Sequence, residues 1–106
     1  MTPLLSVWLV MCAYFYGVDP NFAWRVARVE SGTRTQEFRV GRLGRTDFWG
    51  PMGIRGRYIR GMDMDNPYLN VMVGVRALRG ADKRQVLTRY YGGPPPQAYL
   101  KAVLGK

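Results

Sequence analysis

The chain has 106 residues, about one domain on the usual scale of 100 to 200 residues, and its 47% hydrophobic share with 14 aromatics excludes a disordered chain, which lacks the apolar surface to offset ordering entropy. Sixteen Lys and Arg against seven Asp and Glu give a net charge of +9; 13 of the 16 are Arg, suited to bidentate contact with phosphate or carboxylate, so an anionic partner is expected. One cysteine and no histidine exclude a disulfide framework, a zinc site of His or paired Cys, and any catalytic pair that needs imidazole.

Residues 1–18 carry no charge and hold the run Leu4, Leu5, Val7, Trp8, Leu9, Val10, Met11. The run is short of the roughly 20 residues of a membrane span, and it lacks the cationic start of an export signal. A buried core helix is expected, with Cys12 as a small buried hydrophobe. Asp19 can cap and Pro20 suits a first helical position, so a helix is predicted from Pro20 to Ser31, before Gly32. Phe22, Ala23, Val26, Ala27 and Val29 form its inward side, and Arg25 and Arg28 point outward. Glu30, four residues beyond Val26 and seven beyond Ala23, falls on the apolar side.

From Thr33 to Asn66 the pattern gives way to Gly, Arg and scattered aromatics, read as a long loop with a short strand pair, ordered by Phe38, Phe48, Trp49 and Tyr58. Pro67 opens a helix with Leu69, Val71, Met72, Val75, Ala77 and Leu78 apolar and a stop near Gly80; Gly74 inside it implies that something packs closely there. Further helices are predicted over Asp82–Tyr91, ended by Gly92 and Gly93, and over Gln97–Leu104, after the stiff Pro94-Pro95-Pro96 connector.

Glu30 is the anomaly, because a carboxylate seldom occupies a position the pattern buries. Desolvation raises its pKa and leaves a proton available near neutral pH, which suits a general acid; alternatively it pairs with an arginine and locks the helix end. Glu37 is the other glutamate.

Four segments, in order, resemble the catalytic domain of lytic transglycosylases, the group related to goose-type lysozyme. Tyr16-Gly17-Val18-Asp19-Pro20 followed by Glu30-Ser31-Gly32 is similar to the family's opening helix with its Glu-Ser pair. Gly50-Pro51-Met52-Gly53-Ile54 is similar to its Gly-Leu-Met-Gln-Ile loop, Asn66–Val71 leading to Gly74–Leu78 to its Asn-containing helix, and Leu87–Gly93 to its Leu-Ala-x-Tyr-Asn-x-Gly segment. The resemblance runs over about three quarters of the chain, residues 16–93. The chain departs from the pattern at Pro51 and Gly53 (Leu and Gln in the family), at Tyr91 (Asn in the family) and in its Arg-rich approach to Gly50, as a diverged or phage-type member would.

The resemblance implies a mainly α, lysozyme-like single domain over residues 1–106, with a long Gly/Arg-rich loop or small β element. It implies cleavage of the MurNAc to GlcNAc bond at the bacterial cell wall. Glu30 is then the acid that protonates the glycosidic oxygen and, as carboxylate, takes the proton from the muramic acid C6 hydroxyl to leave a 1,6-anhydro product. Such chemistry needs no second carboxylate where the sugar's N-acetyl group assists. Ser31, Met52, Gly53, Ile54, Tyr90, Tyr91 and Trp49 are the implied substrate-binding residues, with the Tyr90 hydroxyl orienting Glu30 or the N-acetyl group. Asp47, Asp63 and Asp65 are read as solvated loop acids, with a role as second carboxylate left open.

No metal or other cofactor is called for; the expected partner is the glycan strand, met by a monomer. Seven Arg between Arg34 and Arg60, interleaved with aromatics, support the rival reading of a nucleic-acid-binding basic module without catalytic activity. A third reading, a cationic membrane-active protein, requires the N-terminal apolar segment to be exposed.

Overall fold

The computed structural model describes residues 3–30, 48–49, 52, 54–55 and 66–105, and within these the protein is mainly helical. Helix α1 spans Pro3–Tyr16, α2 Pro20–Glu30, α3 Pro67–Ala77, α4 Lys83–Tyr91 and α5 Gln97–Leu104. Between α2 and α3 lie two short antiparallel strands, β1 (Phe48–Trp49) and β2 (Ile54–Arg55), with Phe48 opposite Arg55 and Trp49 opposite Ile54. The four later helices match the expected elements to within a few residues, and the strand pair falls within the stretch from Thr33 to Asn66 where one was expected.

Local chemistry sets the helix ends. At the end of α1 the chain enters the left-handed region at Gly17 (φ 71°), which allows Val18 N–H to reach back to the Ala13 carbonyl at 2.8 Å and Gly17 N–H to reach that of Tyr14 at 3.3 Å. This turn tucks Val18 into the core and delivers Asp19 to cap α2, where its carboxylate accepts from Asn21 N–H at 2.9 Å. Those backbone donors, helped by Lys83, hold the Asp19 carboxyl below its ordinary range. Asn66 caps α3 by accepting from Tyr68 and Leu69, ahead of Pro67 in the first turn. Asp82 caps α4, and Gly92 ends it in the left-handed conformation.

Helix α1 packs on α2 and α3, α2 on α5, and β2 against α3. The shared core includes Leu9, Phe22, Val26, Val75, Leu87 and Val103. Arg89 ties α4 to the end of α3, donating to the carbonyls of Ala77 (3.1 Å) and Arg79 (2.8 Å), which lack helical partners. The close approach expected at Gly74 is made by Met52, whose Cβ and Cγ lie 2.5 Å from where a side chain at Gly74 would begin.

One expectation is corrected. Helix α1 is not buried all round: Leu5, Leu9, Cys12 and Ala13 face the core, whereas Leu4, Val7, Val10, Met11, Tyr14 and Phe15 face outward and are exposed. A helix apolar on every side carries no phase in its sequence, so its pattern could not tell which side the neighbours would cover.

Candidate active site

Helix α2 brings Glu30 to its last position, on the side shared by buried Phe22, Ala23, Val26 and Ala27, while Arg25 and Arg28 are exposed as expected. Its carboxyl group is half-buried. Loss of water around it pushes its pKa from an ordinary 4.5 up to about 7, against the opposing effect of one hydrogen bond. That bond comes from Tyr99 on α5, whose hydroxyl donates to Glu30 Oε2 at 2.7 Å. Among the described residues no arginine forms an ion pair with Glu30.

Tyr99 is itself buried, and its own ionisation is raised by burial and then by the adjacent Glu30. It therefore stays a neutral donor across the physiological range. The ring of Tyr91 packs edge-on against it, with centroids 5.1 Å apart, so that the end of α4 supports the phenol on α5.

Tyr90 lies close enough for the charge of Glu30 to add to burial in raising its pKa. The hydroxyl of Tyr90 donates to the Met52 carbonyl, and Met52 N–H donates to the buried Asn70 Oδ1 at 3.1 Å. Met52, between β1 and β2, is thus tied to α4 through its carbonyl and to α3 through its N–H. Two expectations change accordingly. The Tyr90 hydroxyl is engaged by the Met52 carbonyl, and the hydroxyl that reaches Glu30 is that of Tyr99. The Met52 side chain is fully buried in the notch left by Gly74, so its apolar surface serves the core instead of a sugar ring.

The structure therefore brings together Glu30, Tyr90, Tyr91 and Met52 of the expected set and adds Tyr99, which no motif marked. Trp49 and Ile54 pair across the strands as backbone partners. Ser31, Gly53, Asp47, Asp63 and Asp65 lie outside the described residues, as does the basic stretch from Arg34 to Arg60 apart from Arg55. Among the described residues no cluster of His, Cys, Asp and Glu could hold a metal ion.

Comparison with protein-family models finds no match, and neither curated proteins nor solved structures include a matching relative.

Proposed function

We propose that this helical domain is lysozyme-like and cleaves the MurNAc to GlcNAc bond of peptidoglycan as a lytic transglycosylase or muramidase. One observation carries the reading: Glu30 is a half-buried carboxyl with its pKa pushed up to about 7, held through Oε2 by the Tyr99 hydroxyl. An acid near the working pH combines a substantial protonated fraction with a strong tendency to give the proton up. The ordered resemblance of Glu30-Ser31-Gly32, Gly50–Ile54, Asn66–Leu78 and Leu87–Gly93 to the transglycosylase segments supplies the substrate.

In this mechanism Glu30 gives its proton to the glycosidic oxygen as the bond from that oxygen to C1 of MurNAc breaks. The N-acetyl group of the same sugar stabilises C1, so one carboxylate suffices. Glu30, now charged and still held by Tyr99, takes the proton of the C6 hydroxyl as that oxygen bonds to C1, and the acid is regenerated without consuming water. The anionic wall polymer also suits a chain of net charge +9.

Glu30→Gln keeps the shape and an acceptor for Tyr99 but has no proton to donate. Clearing of purified sacculi by this variant is expected to fall by about 10² to 10⁴-fold, and clearing at the parent's rate overturns the assignment. The mass of the released muropeptides then separates the two chemistries, since the anhydro product is lighter than the hydrolysed one by one water.

A further inference from the structure

Helix α1 presents an apolar surface that neither the core nor the proposed chemistry uses. Leu4 (71% exposed), Val7, Met11, Tyr14 (73%) and Phe15 (82%) recur at helical spacing and fall, with Val10, on the side opposite Leu5, Leu9, Cys12 and Ala13. Side chains of this size, contiguous along a helix of 14 residues, form a stripe about 20 Å long. Contiguous apolar surface of that kind marks an interaction site.

We propose that this face docks the protein onto the surface of an anionic lipid bilayer, with α1 lying in the plane of the interface. Charge selects this occupant. The chain carries +9, α1 holds no charged residue, and near its C-terminal end the guanidinium of Arg79 sits 5.8 Å from the centre of the Tyr16 ring. Tyr16, partly buried against the core, packs edge-on against Phe15 with centroids 4.9 Å apart, so Arg79 lies one ring away from the C-terminal end of the stripe, within reach of headgroups around a docked helix. Tyr14 and Phe15 add aromatic surface to this face, of the kind that favours the membrane–water interface. A second copy of the chain is disfavoured as occupant because it brings another +9 body to the same face. No described helix is long and apolar enough to cross a membrane. Docking of this kind is independent of what Glu30 does.

The test is co-sedimentation of the full chain with vesicles of equal parts phosphatidylglycerol and phosphatidylcholine, beside vesicles of phosphatidylcholine alone. Binding to the anionic vesicles is expected, falling at least tenfold on the neutral ones and again in about 1 M salt, where charges are screened beyond roughly 3 Å. Phe15→Ser and Met11→Gln, both at exposed positions, are each expected to lower partitioning about tenfold with unchanged helical circular dichroism. Arg79→Gln is expected to lower it roughly fivefold on anionic vesicles only. Equal binding to both vesicle types, absence of binding to the anionic ones, or indifference to the α1 variants overturns the proposal. So does a salt-strengthened dimer in sedimentation velocity that Phe15→Ser abolishes without any vesicle binding, which would assign the face to a second copy.

Discussion

Helices α1 and α2 follow one another through Gly17, Val18 and Asp19, pack together, and bury four residues each, yet they depart from the inside-outside rule in opposite senses. In α2 the outward side is conventional, with Arg25 and Arg28 in solvent, and the inward side ends in a carboxylic acid. In α1 the inward side is conventional and the outward side is apolar from Leu4 to Phe15. Folding asks for neither departure. A half-buried carboxyl opposes its own ionisation, and exposed apolar surface gains nothing for the folded chain, so both are expected where a fold carries something besides stability. The first departure suits chemistry, because it changes when a proton leaves. The second suits adhesion, because it leaves surface waiting for an apolar partner.

The comparison can be broken most severely at α1. Leu9→Ala, on the covered side, is expected to cost about 3 kcal/mol by opening a cavity where the side chain is fully buried, whereas Phe15→Ser, on the other side of the same helix, is expected to change stability by less than about 0.5 kcal/mol. Equal losses in urea denaturation would mean that the outward side is covered after all.

A smaller effect sharpens the reading of α2. Because the folded pKa of Glu30 lies above its ordinary value, the folded protein holds more protons than the unfolded chain between about 4.5 and about 7. Stability tied to this group is therefore present in full below about 4.5 and is lost as pH rises to about 7. Glu30→Gln cannot ionise, so at pH near 8 it should be more stable than the parent by about 2 kcal/mol after allowing for solvent around a half-buried group, and the gap should close towards pH 4. A gap that does not depend on pH would show that the carboxyl is well solvated.

Smallest is the effect of Tyr99→Phe, about 1 kcal/mol of stability for the lost hydrogen bond. Its sharper readout is the pH profile of sacculus cleavage. The proposed mechanism needs a protonated Glu30, so on that reading the parent's rate should fall as pH rises through about 7. Without the hydroxyl that lowers the pKa of Glu30, the alkaline limb should move to higher pH, and a limb that stays in place would uncouple Tyr99 from the acid.

Much of this could be read from residue order alone. Pro20, Pro67 and Asp82 mark helix starts, Gly92 and the three prolines mark a stop, and the spacing of Val26 to Glu30 places a carboxylate on the wrong side of α2 before any coordinates are consulted. These are signals within a turn or two of helix, where caps, backbone limits and periodicity act. Gly74 was legible as a close approach, though not its neighbour: Met52 reaches it across 22 residues of chain. Tyr99 was not legible at all. It stands 69 residues from Glu30, on a helix whose pattern shows only that Tyr99, Leu100 and Val103 share a side. The hydroxyl that meets Glu30 is that of Tyr99 and not of Tyr90 because the packing of α5 on α2 turns one phenol towards the acid, while the Met52 carbonyl takes up the other.

By itself the sequence determined where the helices begin and end, which residues could form a core, and that one glutamate sits among apolar neighbours, because short-range sterics and helical periodicity decide these matters. Only the tertiary structure decided which side of α1 stays uncovered, which tyrosine holds Glu30, and how far its proton affinity rises, because each depends on what a distant segment brings into contact and how much water that contact removes.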